Sequence, residues 1–265
     1  GYGYWGRVMT RNMLRHADYF VSGVFDPDEG ARGRARMENL YTFHTLDDAL
    51  DATRPELVIV ATPIPCLVET SLAALSRYAG VLIAKPGATT LQDAKRIDSM
   101  ARSKNRFARV DYTMTQASSF VELRDQLETM DDVSSIVCTR HAVGSRTNAS
   151  IIHDLATHDL SLIIGLDESR EWRVVEKDVA ESTARIVLAH DDVRATIDVS
   201  TEALEPVRVM RINTADHEVV WDQWRPAPDG GPVWNRLNET SRLISSGYSE
   251  DTMMRRVAEL LEEIA

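Results

Sequence analysis

Gly1–Gly6 reads GYGYWG, and the run that follows, RVMTRNMLRH, can continue as a helix. Gly1, Gly3 and Gly6 satisfy GxGxxG, a pattern that is weak alone. Its context strengthens it. The β-rich run Tyr19–Phe25 (YFVSGVF) ends at Asp26, twenty residues past Gly6. That is where a dinucleotide fold places the carboxylate that binds the ribose hydroxyls of NAD. The glycines serve distinct purposes, since one makes the tight turn, one lets backbone approach the pyrophosphate, and one lets helix and strand pack. The helix N-terminus then faces the anion. Tyr4 and Trp5 complete the loop.

Such a unit also needs an apolar strand before the glycine loop, and the sequence opens at the loop, with Gly1 in place of Met. Upstream residues are therefore expected, and a chain starting at Gly1 is expected to bind dinucleotide poorly.

Downstream, apolar runs alternate with helical patterns, as in a parallel sheet covered by helices. Strands are expected at Tyr41–Phe43, Glu56–Ala61, Val81–Ala84 and Phe107–Asp111, with helices over TLDDALDA, Leu67–Tyr78 and Leu91–Lys104. Ligands of such sheets sit at the C-terminal strand ends. Those ends carry Asp26, Ala61-Thr62-Pro63, Lys85-Pro86 and Asp111-Tyr112.

After Tyr112 the pattern changes. Val133–His141, Trp172–Glu176, Ala184–His190, Arg194–Ser200, Val207–Asn213 and Glu218–Trp221 read as strands joined mostly by turns. A second domain of α+β type on a largely antiparallel open sheet is expected. The division is 1–112 for the α/β Rossmann dinucleotide-binding domain and 113–265 for a substrate-binding and oligomerisation domain. Trp224–Pro232 is expected as a loop, and Ser249–Ala265 as a closing helix capped by Ser249.

Within the second domain, Ile151–Leu160 (IIHDLATHDL) sets Asp154 and His158 four residues apart in an apolar run, on one face of an α-helix. A carboxylate beside an imidazole suits proton transfer near neutrality. A helix-surface ion pair is the plainer alternative. Zinc is disfavoured, since His153 and His158 are five apart and HExxH needs four. No metal is expected.

Composition narrows the partners. The 265 residues carry a formal net charge of −11 and include 43% hydrophobic and 27% charged residues. No basic cluster tracks a phosphate backbone, so nucleic acid is not an expected partner. No apolar run reaches the ~20 residues of a membrane span, and no secretory leader is visible. Cys66 and Cys138 stand far apart, as in a reducing cytoplasm.

With these residues in place, the chain resembles the Gfo/Idh/MocA family of nicotinamide-dependent oxidoreductases. GYGYWG resembles its nucleotide loop, VIVATP (Val58–Pro63) its nicotinamide-side strand end, AKP (Ala84–Pro86) its EKP motif, and DLATHD (Asp154–Asp159) its DxxxH helix. The wording is nearest to members acting on nucleotide-linked sugars. The resemblance implies NAD as cofactor, with NADP as the alternative that Arg32 and Arg34 leave open. It implies a hydride transfer at a hydroxyl or oxo carbon of a sugar. Lys85 would hydrogen-bond the reacting oxygen, His158 would be the principal acid/base, and Asp154 would orient His158 or bind a neighbouring hydroxyl. Pro86 would help turn the chain over the nicotinamide, as a cis peptide. Tyr112, Arg146 and Asn148 are candidate substrate contacts, and a homodimer or homotetramer through the second sheet is implied.

Three positions depart from the family pattern. Ala84 replaces its glutamate, Leu67 a histidine found in many relatives, and Asp111 a small residue. Two other readings keep the fold: a lyase or glycosidase that oxidises its substrate transiently, and a non-catalytic dinucleotide or sugar binder, which Ala84 favours.

Overall fold

The computed structural model describes residues 1–128, 133–144, 149–224 and 231–265. The chain divides into two compact units. The first takes Gly1–Ala88, Gln92–Asp111 and Val233–Met254; the second takes Thr89–Leu91, Tyr112–Pro232 and Arg255–Ala265. The boundary expected at 112 did not include the return of Val233–Met254 to the first unit.

The first unit alternates helix and strand: α1 (Tyr4–Met13), β1 (Val24–Phe25), α2 (Glu29–Met37), β2 (Thr42–Phe43), α3 (Leu46–Thr53), β3 (Leu57–Val60), α4 (Ile64–Ser76), β4 (Gly80–Ala84), α5 (Leu91–Lys104) and β5 (Ala108–Asp111). All pairings are parallel, β1 with β2, and β3 with β4 with β5. β4 is buried from Gly80 to Ile83, which matches its unbroken apolar reading. The strand expected over Tyr19–Phe25 shrinks to Val24–Phe25. β propensity makes a strand only where a ladder partner exists, and Tyr19 instead donates its hydroxyl to the Leu237 carbonyl at 2.8 Å.

The second unit begins with α6 (Ser118–Leu127) and β6 (Ser135–Val143), followed by a π-helical turn over Ile152–Ala156 and α7 (Thr157–Leu166). Five strands complete its sheet: β7 (Arg173–Val179), β8 (Thr183–His190), β9 (Val193–Ser200), β10 (Glu202–Asn213) and β11 (Glu218–Asp222). The order is β11-β10-β6-β9-β8-β7. Only the central β6–β9 pair is parallel among these pairings. The sheet is largely antiparallel, as expected. One face is apolar: Ile136 and Cys138, Ile186 and Leu188, Ala195, Ile197 and Val199, Met210 and Ile212 are all buried.

Two helices follow, α8 (Pro232–Leu243) and α9 (Thr252–Ile264). The sequence pattern did not show α8. Its Leu237 joins a first-unit core with Met9, Met13, Leu82 and Phe107. The cap of α9 also differs from expectation. Asp251, not Ser249, accepts from the Met254 amide (3.0 Å), while Ser249 Oγ accepts from Arg109 (3.0 Å). Asp251 also accepts from the Val110 amide of β5 at 2.9 Å, and burial pushes its carboxyl pKa up. Among the described residues no helix is long and apolar enough to cross a membrane.

Candidate functional site

The glycine loop shows how three identical residues serve different purposes. A Cβ on Gly1 would lie 2.5 Å from the Ala61 carbonyl oxygen, and one on Gly6 2.1 Å from the Gly1 carbonyl oxygen. Both glycines therefore let backbone close on backbone, joining loop, β3 end and helix. Among the described residues, a Cβ on Gly3 would meet nothing within 4 Å. Gly3 is also the N-cap of α1, and no side chain caps it. Open space beside uncapped helical amides is what a pyrophosphate requires. Thr62 Oγ1, beside this loop at the end of β3, is buried with no hydrogen-bond partner among the described residues. A buried hydroxyl left this way is costly unless a ligand completes it. These residues fit a dinucleotide.

Asp26 is tied directly to the loop. Its Oδ2 accepts from the Tyr2 amide at 2.6 Å and its Oδ1 from the Asp28 amide at 2.9 Å. Tyr2, to which the sequence assigned nothing, is the loop's foundation: it is buried with Val24, Ala31, Ala35 and Leu40, and its hydroxyl donates to Glu38 at 3.0 Å. Burial, first, and Glu38 push the Tyr2 phenol up to about 12.

At the neighbouring strand ends, Lys85 follows β4 half-buried, and the Lys85–Pro86 peptide is cis. Gly87 then turns the chain at φ +78°, its amide donating to the Ala84 carbonyl at 3.0 Å. A Cβ there would come 2.2 Å from Val110 Cγ2, so only glycine fits. The strand register sets Ala84 beside Asp111. A carboxylate is thus present at this end of the sheet after all, one strand over. Asp111 is buried, accepts from the Trp5 indole at 3.2 Å, and lies 3.6 Å from Arg236 of α8. Tyr4, by contrast, is 76% exposed. Leu67 is buried in the first unit, a packing role that a histidine would fill poorly.

In the second unit, the helix bearing Asp154 and His158 is not α-helical throughout. The Thr157 amide reaches back five residues to the Ile152 carbonyl, so the turn carrying Asp154 is π-helical. The helix expected over Asp154 and His158 therefore forms, with a π turn where a regular α-helix was expected. Single π turns inside helices are frequent at functional sites. Thr157 Oγ1 donates to the carbonyls of Ile152 (3.3 Å) and His153 (3.1 Å), which steadies the widened turn. His153 pairs its Nδ1 with Ser150 Oγ at 3.0 Å, and burial holds its pKa below the usual imidazole value.

Immediately after His158, Asp159 is buried and receives a two-pronged contact from Arg140 of β6, at 2.8 and 2.9 Å. Arg140 also donates to Gln223 at 2.9 Å. Asp159 lay within the quoted DLATHD motif, but nothing in the sequence paired it with Arg140. Tyr112 is buried, and its carbonyl accepts from Thr115 Oγ1 at 2.8 Å. Arg146 and Asn148 lie outside the described residues. Among those described, no group of three His, Cys, Asp or Glu residues is placed to hold a metal ion.

Fold and loop together define a Rossmann dinucleotide-binding unit followed by an α+β unit on a mixed, mostly antiparallel sheet. More particularly, residues 1–112 match the family model GFO_IDH_MocA, described as an oxidoreductase family with an NAD-binding Rossmann fold. A stretch of 165 residues is 28% identical to an inositol 2-dehydrogenase of Streptomyces avermitilis, covering 57% of this chain and 48% of that protein. The match thus spans about half the length of the curated relative. Two solved structures share the fold across 100% of the chain. One is GenD2 from gentamicin A biosynthesis in complex with NAD (TM-score 0.89, 19% identity, 91% of that chain). The other is the UDP-N-acetylglucosamine 3-dehydrogenase GnnA from Acidithiobacillus ferrooxidans (TM-score 0.86, 19% identity, 94% of that chain).

Proposed function

We propose that the protein is a cytoplasmic NAD-dependent oxidoreductase acting on a hydroxyl- or oxo-bearing carbon of a sugar, and that this sugar is nucleotide-linked. The observation that carries the cofactor part is the open position at Gly3 between the closed positions at Gly1 and Gly6. Gly1, Gly3, Tyr4, Trp5 and Gly6 would hold the pyrophosphate, Asp26 the ribose, and Ala61, Thr62, Pro63, Lys85 and Pro86 the nicotinamide side. Bound nicotinamide supplies the hydride donor or acceptor.

The remaining roles belong to this chain's own residues. Lys85 donates a hydrogen bond to the reacting oxygen. His158 takes or gives the proton as that oxygen changes between hydroxyl and carbonyl, and Asp154 orients His158 or binds a neighbouring hydroxyl. Tyr112, Arg146 and Asn148 contact substrate. The nucleotide-linked sugar is supported by the wording of the DLATHD helix and by the likeness to GnnA, a UDP-N-acetylglucosamine 3-dehydrogenase. Assembly as a homodimer or homotetramer belongs to the same reading.

The test is to incubate the full-length protein with NAD and, separately, with nucleotide sugars and free polyols including myo-inositol, following nicotinamide reduction and product structure. Net reduction with a nucleotide sugar is expected. Lys85→Met and His158→Ala should each lower kcat by ~10²–10⁴, the usual worth of a positioned acid or base. Cleavage of a glycosidic bond without net cofactor change would refute a simple dehydrogenase, and unaltered turnover in both variants would refute the catalytic roles.

A further inference from the structure

Resting on the dinucleotide reading, we infer that Glu29 is a specificity-determining residue that sets the choice of NAD over NADP, by engaging two guanidinium groups of the helix that follows Asp26. NADP differs from NAD by one phosphate on the 2′-oxygen that the Asp26 carboxylate would otherwise bind as a hydroxyl, and sites that accept it place an arginine there. This chain has the arginines. Arg32 is buried against the strand end, its NH1 donating to the carbonyls of Asp26 (2.6 Å) and Pro27 (2.8 Å). The rest of its fork is held by Glu29: Nε and NH2 both donate to Oε2, at 3.0 and 2.5 Å.

Arg36, one helical turn on, reaches the other oxygen of the same carboxylate, and its NH1 donates to Thr42 at 3.3 Å. Arg34 stands 3.9 Å from Asp28. Each of these guanidinium groups is therefore matched to a carboxylate. Hydrogen bonds from Arg36 and Arg32 hold the Glu29 carboxyl below its usual pKa, which keeps it charged across the neutral range. An incoming 2′-phosphate meets the charges of Asp26 and Glu29 and arginine donors already paired. Hydrogen bonds between ionised partners are roughly twice as strong as neutral ones, so removing this one carboxylate changes both terms at once. The side chain of Glu29 is 62% exposed, and its replacement leaves no buried hole.

The experiment is equilibrium titration of full-length protein with NADH and with NADPH, read as dissociation constants without any substrate. Wild type should prefer NADH. Glu29→Gln should tighten NADPH by about tenfold or more while leaving NADH within about threefold, and Glu29→Asp, which keeps the charge, should retain the preference for NADH. Adding Arg36→Met to Glu29→Gln should remove part of the NADPH gain. An unchanged NADPH-to-NADH ratio in Glu29→Gln, with NADH binding intact, would overturn the assignment of Glu29 and leave the oxidoreductase reading standing. Equal weakening of both nucleotides would also overturn it, showing a purely structural residue. Wild type that binds neither nucleotide would refute the dinucleotide reading itself.

Discussion

Gly1, Gly3 and Gly6 are indistinguishable as letters, yet the space around each Cβ position separates them. Gly3→Ala adds a methyl group to open space. It should cost stability no more than about 1 kcal/mol, through the N-cap preference, while weakening NADH at least about tenfold by blocking approach to the backbone. Gly6→Ala drives the methyl onto the Gly1 carbonyl and should destabilise the fold by about 1–3 kcal/mol. Thermal unfolding and nucleotide titration of both variants check the distinction; identical profiles would contradict it. The place of Asp26 just past the end of β1 was legible from its distance to the loop, because chain length through helix and strand fixes where that strand ends. Tyr2, Gly87 and Arg236 were not legible, since their roles depend on which surfaces the fold brings against them.

Among the elements, long periodic segments were readable and short or irregular ones were not. α5 falls on Leu91–Lys104 as expected, because its apolar spacing suffices to define it. β1 did not, because pairing rather than propensity limits it. The helix carrying Asp154 and His158 was readable as a helix, but its π turn was not, since nothing local in IIHDLATHDL announces an i+5 bond. The Arg140–Asp159 pair fixes the segment just after His158 against β6. Asp159→Ala leaves a buried guanidinium without its carboxylate and should cost about 3–5 kcal/mol. Replacing both partners, Arg140→Met with Asp159→Leu, should recover most of that loss, because no buried charge is left alone. Denaturant unfolding of the single and double variants tests this; a double variant as unstable as the single one would contradict it.

For the whole molecule, the change from alternating helices and strands to a run of strands after Tyr112 was visible because the two sheet types impose different hydrophobic periods. The return of Val233–Met254 to the first unit was not visible. An amphipathic helix records that it has an apolar face, not which surface that face covers, and the burial of Arg236 near Asp111 depends on residues far apart in the chain. Every functional role proposed for the chain depends on the first unit being a working dinucleotide site. Titration of the full-length protein with NADH, following the fluorescence of the bound nucleotide, tests that most directly. Saturable binding at one site per chain is the predicted result, and no saturable binding of NADH or NADPH would contradict it.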